Sequence, residues 1–414
     1  MKKIIQINFL LFAIFITQVN AQEPIKSVDP LIGTAHARYF HFAPGAMPFG
    51  MAKPSPSTNG SLGNKSGWEA TGYDYRDSTI ENFPNFHEFQ VGGVALMATT
   101  GTLQTIPGKA DEPSSGYRSS FDRKDEIAEA GYYSVLLKDY GVTAELTATE
   151  RVAFHRYTFP KNEESHILFD IGNMMGESGK VKDAEVKINS DGTVEGYVIT
   201  APVYVEKYQA GADIRMYFYA VPNKQAQNFG VFQGESITKD VRTIKGPSSG
   251  AFFTYSTKEN ESIEVKIGLS YTSVDAAKEN YLGEAEGLDF DSAKKLNQET
   301  WNSMLSRINV EGGKVEDRTK FYTGLYHALL GRGLASDISG TYPKNDGSVG
   351  QIALAKDGSP IHHHYNTDAI WGAFWNLTQV WTIAYPEYLS EFVNSQLLVY
   401  KDSDWLADGI ANSK

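Results

Sequence analysis

Cysteine is absent from all 414 residues. That excludes disulfide bonds, and it excludes a lipid-anchored cysteine behind a signal sequence. Blocks of basic residues are missing too. There are 38 Lys and Arg against 50 Asp and Glu, a formal charge of −12. Nucleic acids and anionic membranes are bound by clustered positive charge, so neither is expected as a partner, and the acidic balance serves solubility. Beyond the N-terminal segment no run is apolar and long enough to span a bilayer. No internal repeat and no low-complexity tract is present, which excludes solenoids and disordered arrays.

Aromatic residues, by contrast, make up 12% of the chain, and glycine is frequent. This is the composition of a well-packed fold with many turns, and the length suits two domains or more. The first 21 residues read as a secretory signal: Lys2 and Lys3 lead an apolar run from Ile4 towards Ile16, and Val19-Asn20-Ala21 fits a small-residue cleavage site. The mature chain, from about Gln22, is therefore expected in a periplasm or outside the cell.

The densest chemistry lies in residues 362–381, HHHYNTDAIWGAFWNLTQVW. Thr367 or Asp368 can cap a helix there, and Tyr385-Pro386 ends it. Ile370, Phe374, Leu377 and Trp381 form one apolar stripe, with Trp371, Trp375 and Thr378 beside it. A helix aromatic on two faces is expected to be buried on most sides. The His, Tyr, Asn, Asp and Trp at its start are types that line a pocket for a polar ligand such as a sugar. His362, His363 and His364 are consecutive and do not converge on one ion without unusual backbone, so no metal site is assigned.

Upstream, residues 28–51 are broken by Pro and Gly and read as loop. The stretches GWEATGYDY (67–75) and FPNFHEFQVGG (83–93) place aromatics beside Gly, as loops that present a ring to a ligand do. From Gly131 the period becomes two. Val142, Ala144, Leu146 and Ala148 alternate with Thr143, Glu145, Thr147 and Thr149, and Asn189-Ser190-Asp191-Gly192 is a hairpin turn. Many short antiparallel strands predict a β-sandwich over residues 22–272. Near Val274 the period changes again. Phe290, Leu296, Trp301 and Met304 predict a helical linker over 273–310, and helices are predicted over 316–333, 368–384 and 387–400. Asp337, Asp346 and Asp408 read as turn and cap residues.

In this order, VDPLIGT, FAPGAMPFGM and GYYSVLLKDYGVTAELTATERVAFHRYTFP resemble the N-terminal sandwich domain of glycoside hydrolase family 92. WNSMLSRINVEGG, FYTGLYHALL and the aromatic helix at Trp371 resemble the start of its catalytic domain. The resemblance implies an N-terminal antiparallel β-sandwich followed by the first helices of an (α/α)6 barrel, with residues 311–414 a truncated start of that barrel. It also implies an inverting, calcium-dependent exo-α-mannosidase that trims mannose from N-glycans, with the active site between the domains. The family's acid, base and Ca2+ ligands are expected beyond residue 414, so no catalytic or metal-binding residue is assigned, and this chain alone is expected to be inactive.

Four substrate-binding residues carry over. Trp68 matches the sandwich loop that walls the terminal sugar. His87 takes the second His of a Phe-x-His-x-His pattern whose first is Asn85 here; it either donates to a sugar hydroxyl or is structural. Trp371 matches the Trp of a Leu-Trp-Asp-Thr-Phe-Arg run. In that run Gly372 replaces the Asp that holds mannose hydroxyls and Trp375 replaces the Arg, leaving Asp368, one turn earlier, to take the role. These departures keep two alternatives open: a carbohydrate-binding relative without hydrolysis, and a glycosidase of the same fold with another sugar.

Overall fold

A computed structural model of the chain describes residues 23–35, 42–58, 72–88, 91–175, 178–202, 206, 211–331, 333–366 and 370–406. The expected signal segment, Trp68, Asp368 and Asp408 lie outside these residues.

Two antiparallel sheets are built from strands in the following chain order. The first are β1 (Ala95–Thr100), β2 (Glu126–Glu129), β3 (Tyr132–Leu137), β4 (Val142–Ala148), β5 (Val152–Phe159), β6 (Asn162–Asp170) and β7 (Lys180–Ile188). There follow β8 (Val194–Ala201), β9 (Ile214–Pro222), β10 (Asn228–Gln233), β11 (Ser236–Lys239), β12 (Thr243–Lys245), β13 (Ser249–Thr257) and β14 (Glu261–Ser270). The smaller sheet runs β11-β10-β13-β6-β1, and the larger β12-β7-β8-β9-β14-β5-β4-β3-β2. Alternation decides which side chains go inward. In β4, Val142, Ala144, Leu146 and Ala148 are buried as the period-two pattern predicts, while Thr143 and Glu145 are half-buried. Thr147 is buried as well, with its hydroxyl donating to the Gly131 carbonyl at 2.8 Å. The sheets meet through rings such as Phe169 and Phe218, stacked with centroids 6.4 Å apart. The Asn189-to-Gly192 turn joins β7 to β8 with Gly192 at φ 88°, left-handed backbone that glycine adopts without strain.

Six helices follow among the described residues: α1 (Val274–Glu284), α2 (Phe290–Leu305), α3 (Val315–Leu330), α4 (Ile370–Ala373), α5 (Leu377–Ala384) and α6 (Pro386–Ser403). α1 lies against the outer face of the large sheet. A Cβ on Gly268 of β14 would stand 2.2 Å from the Ala277 carbonyl oxygen, so only glycine admits this contact. α2 buries Phe290, Ala293, Asn297, Trp301 and Leu305, a 3- and 4-residue spacing that makes one face. The predicted face was rotated slightly, since Leu296 is exposed and Asn297 is buried. Asn297 is inside because its amide donates to the Gly45 and Ala148 carbonyls, both at 3.0 Å. Trp301 likewise donates to the Ala46 carbonyl at 2.8 Å. These bonds dock the linker helix on loop 43–50 and on the end of β4.

The single aromatic helix expected over 368–384 is two helices, α4 and α5, separated at 374–376. Trp381 is buried, but Phe374 and Trp375 are 70% and 75% exposed. The expectation of burial on most sides fails here because α5 packs on α3 and α6 through one face, and no described element covers the other. Asp337 is more than a turn residue. Its buried carboxylate accepts from Thr272 at 2.5 Å, Asn280 at 2.8 Å and Thr341 at 2.7 Å, tying the end of β14, α1 and a hairpin together. Asp346 does cap its own turn, accepting from the Ser348 amide at 2.9 Å.

A second buried acid lies at the end of β6. Asp170 accepts from the Tyr117 hydroxyl, next to the fully buried Arg118–Glu81 ion pair of 2.8 Å. Burial, reinforced by Glu81, pushes the Asp170 carboxyl up to about 7. The folded chain therefore holds a proton there that the unfolded chain releases near pH 4. Stability from this group is present at acid pH and declines as pH rises towards 7. Relative to wild type, Asp170→Asn should gain stability as pH rises from 4 to 7, by up to about 4 kcal/mol, and level off above. Urea unfolding of both proteins from pH 4 to pH 8 checks this; parallel curves would refute it.

Candidate functional site at the seam between sandwich and helices

The two halves share one hydrophobic cluster, and the backbone is continuous across their junction. Residues 49–55 run between them. On the sandwich side the Lys53 amide donates to the Asn85 carbonyl at 2.9 Å and the Ser55 amide to the Pro84 carbonyl at 3.2 Å. On the helical side the Phe49 amide donates to Leu329 O and its carbonyl accepts from Leu334 N, both at 2.8 Å. These two bonds hold Phe49 at φ 55°, a left-handed conformation rare for a bulky residue. Its ring stacks on Tyr388 at 3.5 Å and meets Trp381 edge-on at 6.1 Å. Segment 333–335 then pairs with 364–366 through Ala335 N to His364 O at 2.8 Å and Asn366 N to Gly333 O at 2.9 Å.

Within this seam lies a polar cluster on the short strand Phe86–Glu88, which pairs with Val91–Gly93. Glu88 is buried, and three donors from distant segments meet its carboxylate: Lys53 Nζ in an ion pair, the Gly333 amide at 3.1 Å and Asn366 Nδ2 at 2.6 Å. Taking a carboxylate out of water is tolerated only with such pairing. Gly333 makes the approach possible, because a Cβ there would stand 2.2 Å from the Gly50 carbonyl oxygen and 2.8 Å from Glu88 Oε1. The preceding residue, His87, is buried as well, its Nδ1 hydrogen-bonded to Ser55 Oγ. A Cβ on Gly72, where the described chain resumes after 59–71, would lie 3.8 Å from His87 Cε1.

Of the four expected binding residues, His87 is thus in the seam. Trp68 lies outside the described residues, in the stretch that ends before Gly72. Asp368 follows Asn366 by two positions, and Trp371 is in α4, its side chain outside the described set. Asn85, which stands where the family pattern has His, is structural: its side chain meets His155 Nε2 at 2.6 Å and donates to the Val94 carbonyl at 2.7 Å. Burial pushes His155 down to about 3, keeping the ring neutral. His364 is buried and held neutral, pushed down to about 3, whereas His363 bonds Glu391 on α6 at 2.9 Å. Sequence reading missed Lys53, Ser55, Glu88 and Asn366. The available signal was a charged residue within the aromatic run FPNFHEFQV, but nothing in one sequence says which distant lysine answers it.

The profile of the glycosyl hydrolase family 92 N-terminal domain matches residues 27–270, and that of the family's catalytic domain matches residues 276–414. An uncharacterized secreted glycosidase of Arthroderma benhamiae is 23% identical over 356 residues, which is 78% of this chain and 44% of that protein. Among solved structures, a family GH92 alpha-mannosidase from Bacteroides thetaiotaomicron, in complex with mannoimidazole, superposes with a TM-score of 0.84. It is 24% identical, over 95% of this chain and 50% of that one. A family GH92 inverting mannosidase from the same organism gives a TM-score of 0.78 at 21% identity, over 94% of this chain and 50% of that one. At these identities the likeness establishes the fold, and the chain spans about half the length of the relatives it matches.

The close approach at Gly333 predicts a contrast between two glycines. Gly333→Ala should lower stability by about 1–3 kcal/mol, because the clash is with backbone. Gly324→Ala, in α3 with nothing within 4 Å of its Cβ, should raise it by about 0.5–1 kcal/mol. Urea midpoints of the two variants measure both. Equal effects would mean that the seam yields to the added methyl and would refute the close packing at Gly333.

Proposed function

Because the chain belongs to glycoside hydrolase family 92, we propose that it forms the sandwich and first helices of a secreted, exo-acting glycosidase that removes terminal mannose from α-mannosides, N-glycans among them. The observation that carries this reading is the seam. His87 and Glu88 are neighbours on one strand: a Cβ on Gly72 would lie 3.8 Å from the His87 ring, and Glu88 bonds Asn366, which precedes Asp368 and Trp371. In this proposal Trp68 and Trp371 wall the sugar with their rings, while His87 and Asp368 hydrogen-bond its hydroxyls.

Inversion at the anomeric carbon is part of the proposal. It requires a protonated carboxyl at the leaving oxygen and a carboxylate activating water, roughly 6.5–9.5 Å apart. No such pair is assigned among the described residues. Calcium dependence is proposed as well. The described residues contain no group of three His, Asp or Glu able to hold a metal ion, so no step is routed through it. Secretion rests on the N-terminal Lys-led apolar run and on the secreted relative. No described helix is long and apolar enough to cross a membrane. Gly372 and Trp375, in place of the family's Asp and Arg, favour a second reading in which the same fold takes another sugar.

Incubating the full-length protein with α-1,2-mannobiose should release mannose as the β-anomer, visible by proton NMR, and EDTA should abolish the release. Turnover of other α- or β-glycosides with mannobiose untouched would support the second reading. Binding without turnover on any of them would leave a lectin-like relative in its place.

A further inference from the structure

We propose that Glu88 is a positioning residue. Its buried carboxylate sets the separation between the strand that carries His87 and the chain entering α4, and so fixes the two walls of the proposed sugar pocket from one buried group. This rests on the reading of the site given above.

Adjacent residues of a strand point to opposite faces. His87 accordingly bonds Ser55, and Glu88, on the other face, bonds Lys53, Gly333 and Asn366. The side chain of Lys53 is fully buried and that of Glu88 is 8% exposed. The donors on the helical side lie 245 and 278 positions away in sequence, so local folding does not bring them together. An apolar pair would pack such a seam as stably, since burying two charges brings little or no net stabilisation. A buried ion pair does bring direction. The two carboxylate oxygens divide the donors: Oε1 accepts from Lys53 and the Gly333 amide, and Oε2 from Asn366. Asn366 is the last described residue before α4. Its amide hydrogen also bonds Gly333 O, so backbone and side chain fix it from the same site.

The test uses the full-length protein and three variants. Asn366→Ala removes one hydrogen bond and no charge. Glu88→Gln leaves Lys53 without its counter-charge. Lys53→Met with Glu88→Leu removes both charges and refills the volume, which keeps the question open to test if Glu88→Gln fails to fold. In Asn366→Ala and in the double variant, amide hydrogen exchange across residues 364–373 should quicken about tenfold or more, with β4 and β5 unchanged. KM for the hydrolysed glycoside should rise about tenfold, with kcat within about twofold and the pH profile of kcat unmoved, as expected for a group that does not touch the reacting atoms. Unchanged exchange across 364–373 in both variants overturns the proposal, as does quickening spread equally over the sandwich strands. A double variant with full protection and wild-type KM would make Glu88 a stabilising staple and overturn it too. If wild type hydrolyses no glycoside, the functional reading fails, and the exchange result alone decides whether Glu88 positions the segment.

Discussion

A carboxylate removed from water must be matched by donors, and Glu88 is matched by three that belong to three separate parts of the chain. That requirement brings loop 49–55, segment 333–335 and the residues before α4 to one point. The surrounding structure is consistent with the demand. Gly333 has no side chain where one would collide with Gly50, and Phe49 accepts a left-handed backbone to bond on both sides. Two local costs, a strained φ and a buried charge, are tolerated at the same place. Such concentrations of strain and buried polarity mark sites whose geometry matters for more than stability.

The helical half is attached by two different means. At α2 the contact is with exposed backbone: Asn297 and Trp301 donate to carbonyls of loop 43–50, which would otherwise lose water without a partner. At the α5–α6 corner the contact is aromatic, with Phe49 inserted among Trp381, Tyr388 and Tyr365. The first docks the linker helix through hydrogen bonds, and the second buries aromatic rings against one another. Between them, the register of 364–366 is set by its backbone pairing with 333–335, and Glu88 adds a bond to the Gly333 amide and one to the Asn366 side chain.

The sandwich was legible because alternation is a local property. Val142, Ala144, Leu146 and Ala148 announce an inward face, and the Asn-Ser-Asp-Gly turn announces where β7 folds back. The helices were legible in outline and wrong in detail. Asn297 outranks Leu296 for the buried face because two carbonyls need its amide, a fact about loop 43–50 that no helical periodicity contains. The aromatic stretch was read as one helix buried on most sides, yet Phe374 and Trp375 are exposed and the helix breaks beside them. Periodicity reports that a face is apolar and is silent about what covers it. His87 was singled out through a family pattern, while its bond to Ser55 and the pairing of Asn85 with His155 came only with the structure.

By itself, then, the order of residues determined the layer sequence of strands followed by helices, the aromatic character of the segment beyond Tyr365, and the absence of disulfides, because propensity, periodicity and composition act over a few residues. Tertiary structure decided which charges are buried and with whom. Lys53, Glu88, Gly333 and Asn366 are ordinary residues in isolation. They become a site because hydrogen bonds and Coulomb attraction act over a few ångströms of space, and the chain places positions 53, 88, 333 and 366 within that range only after both halves have folded.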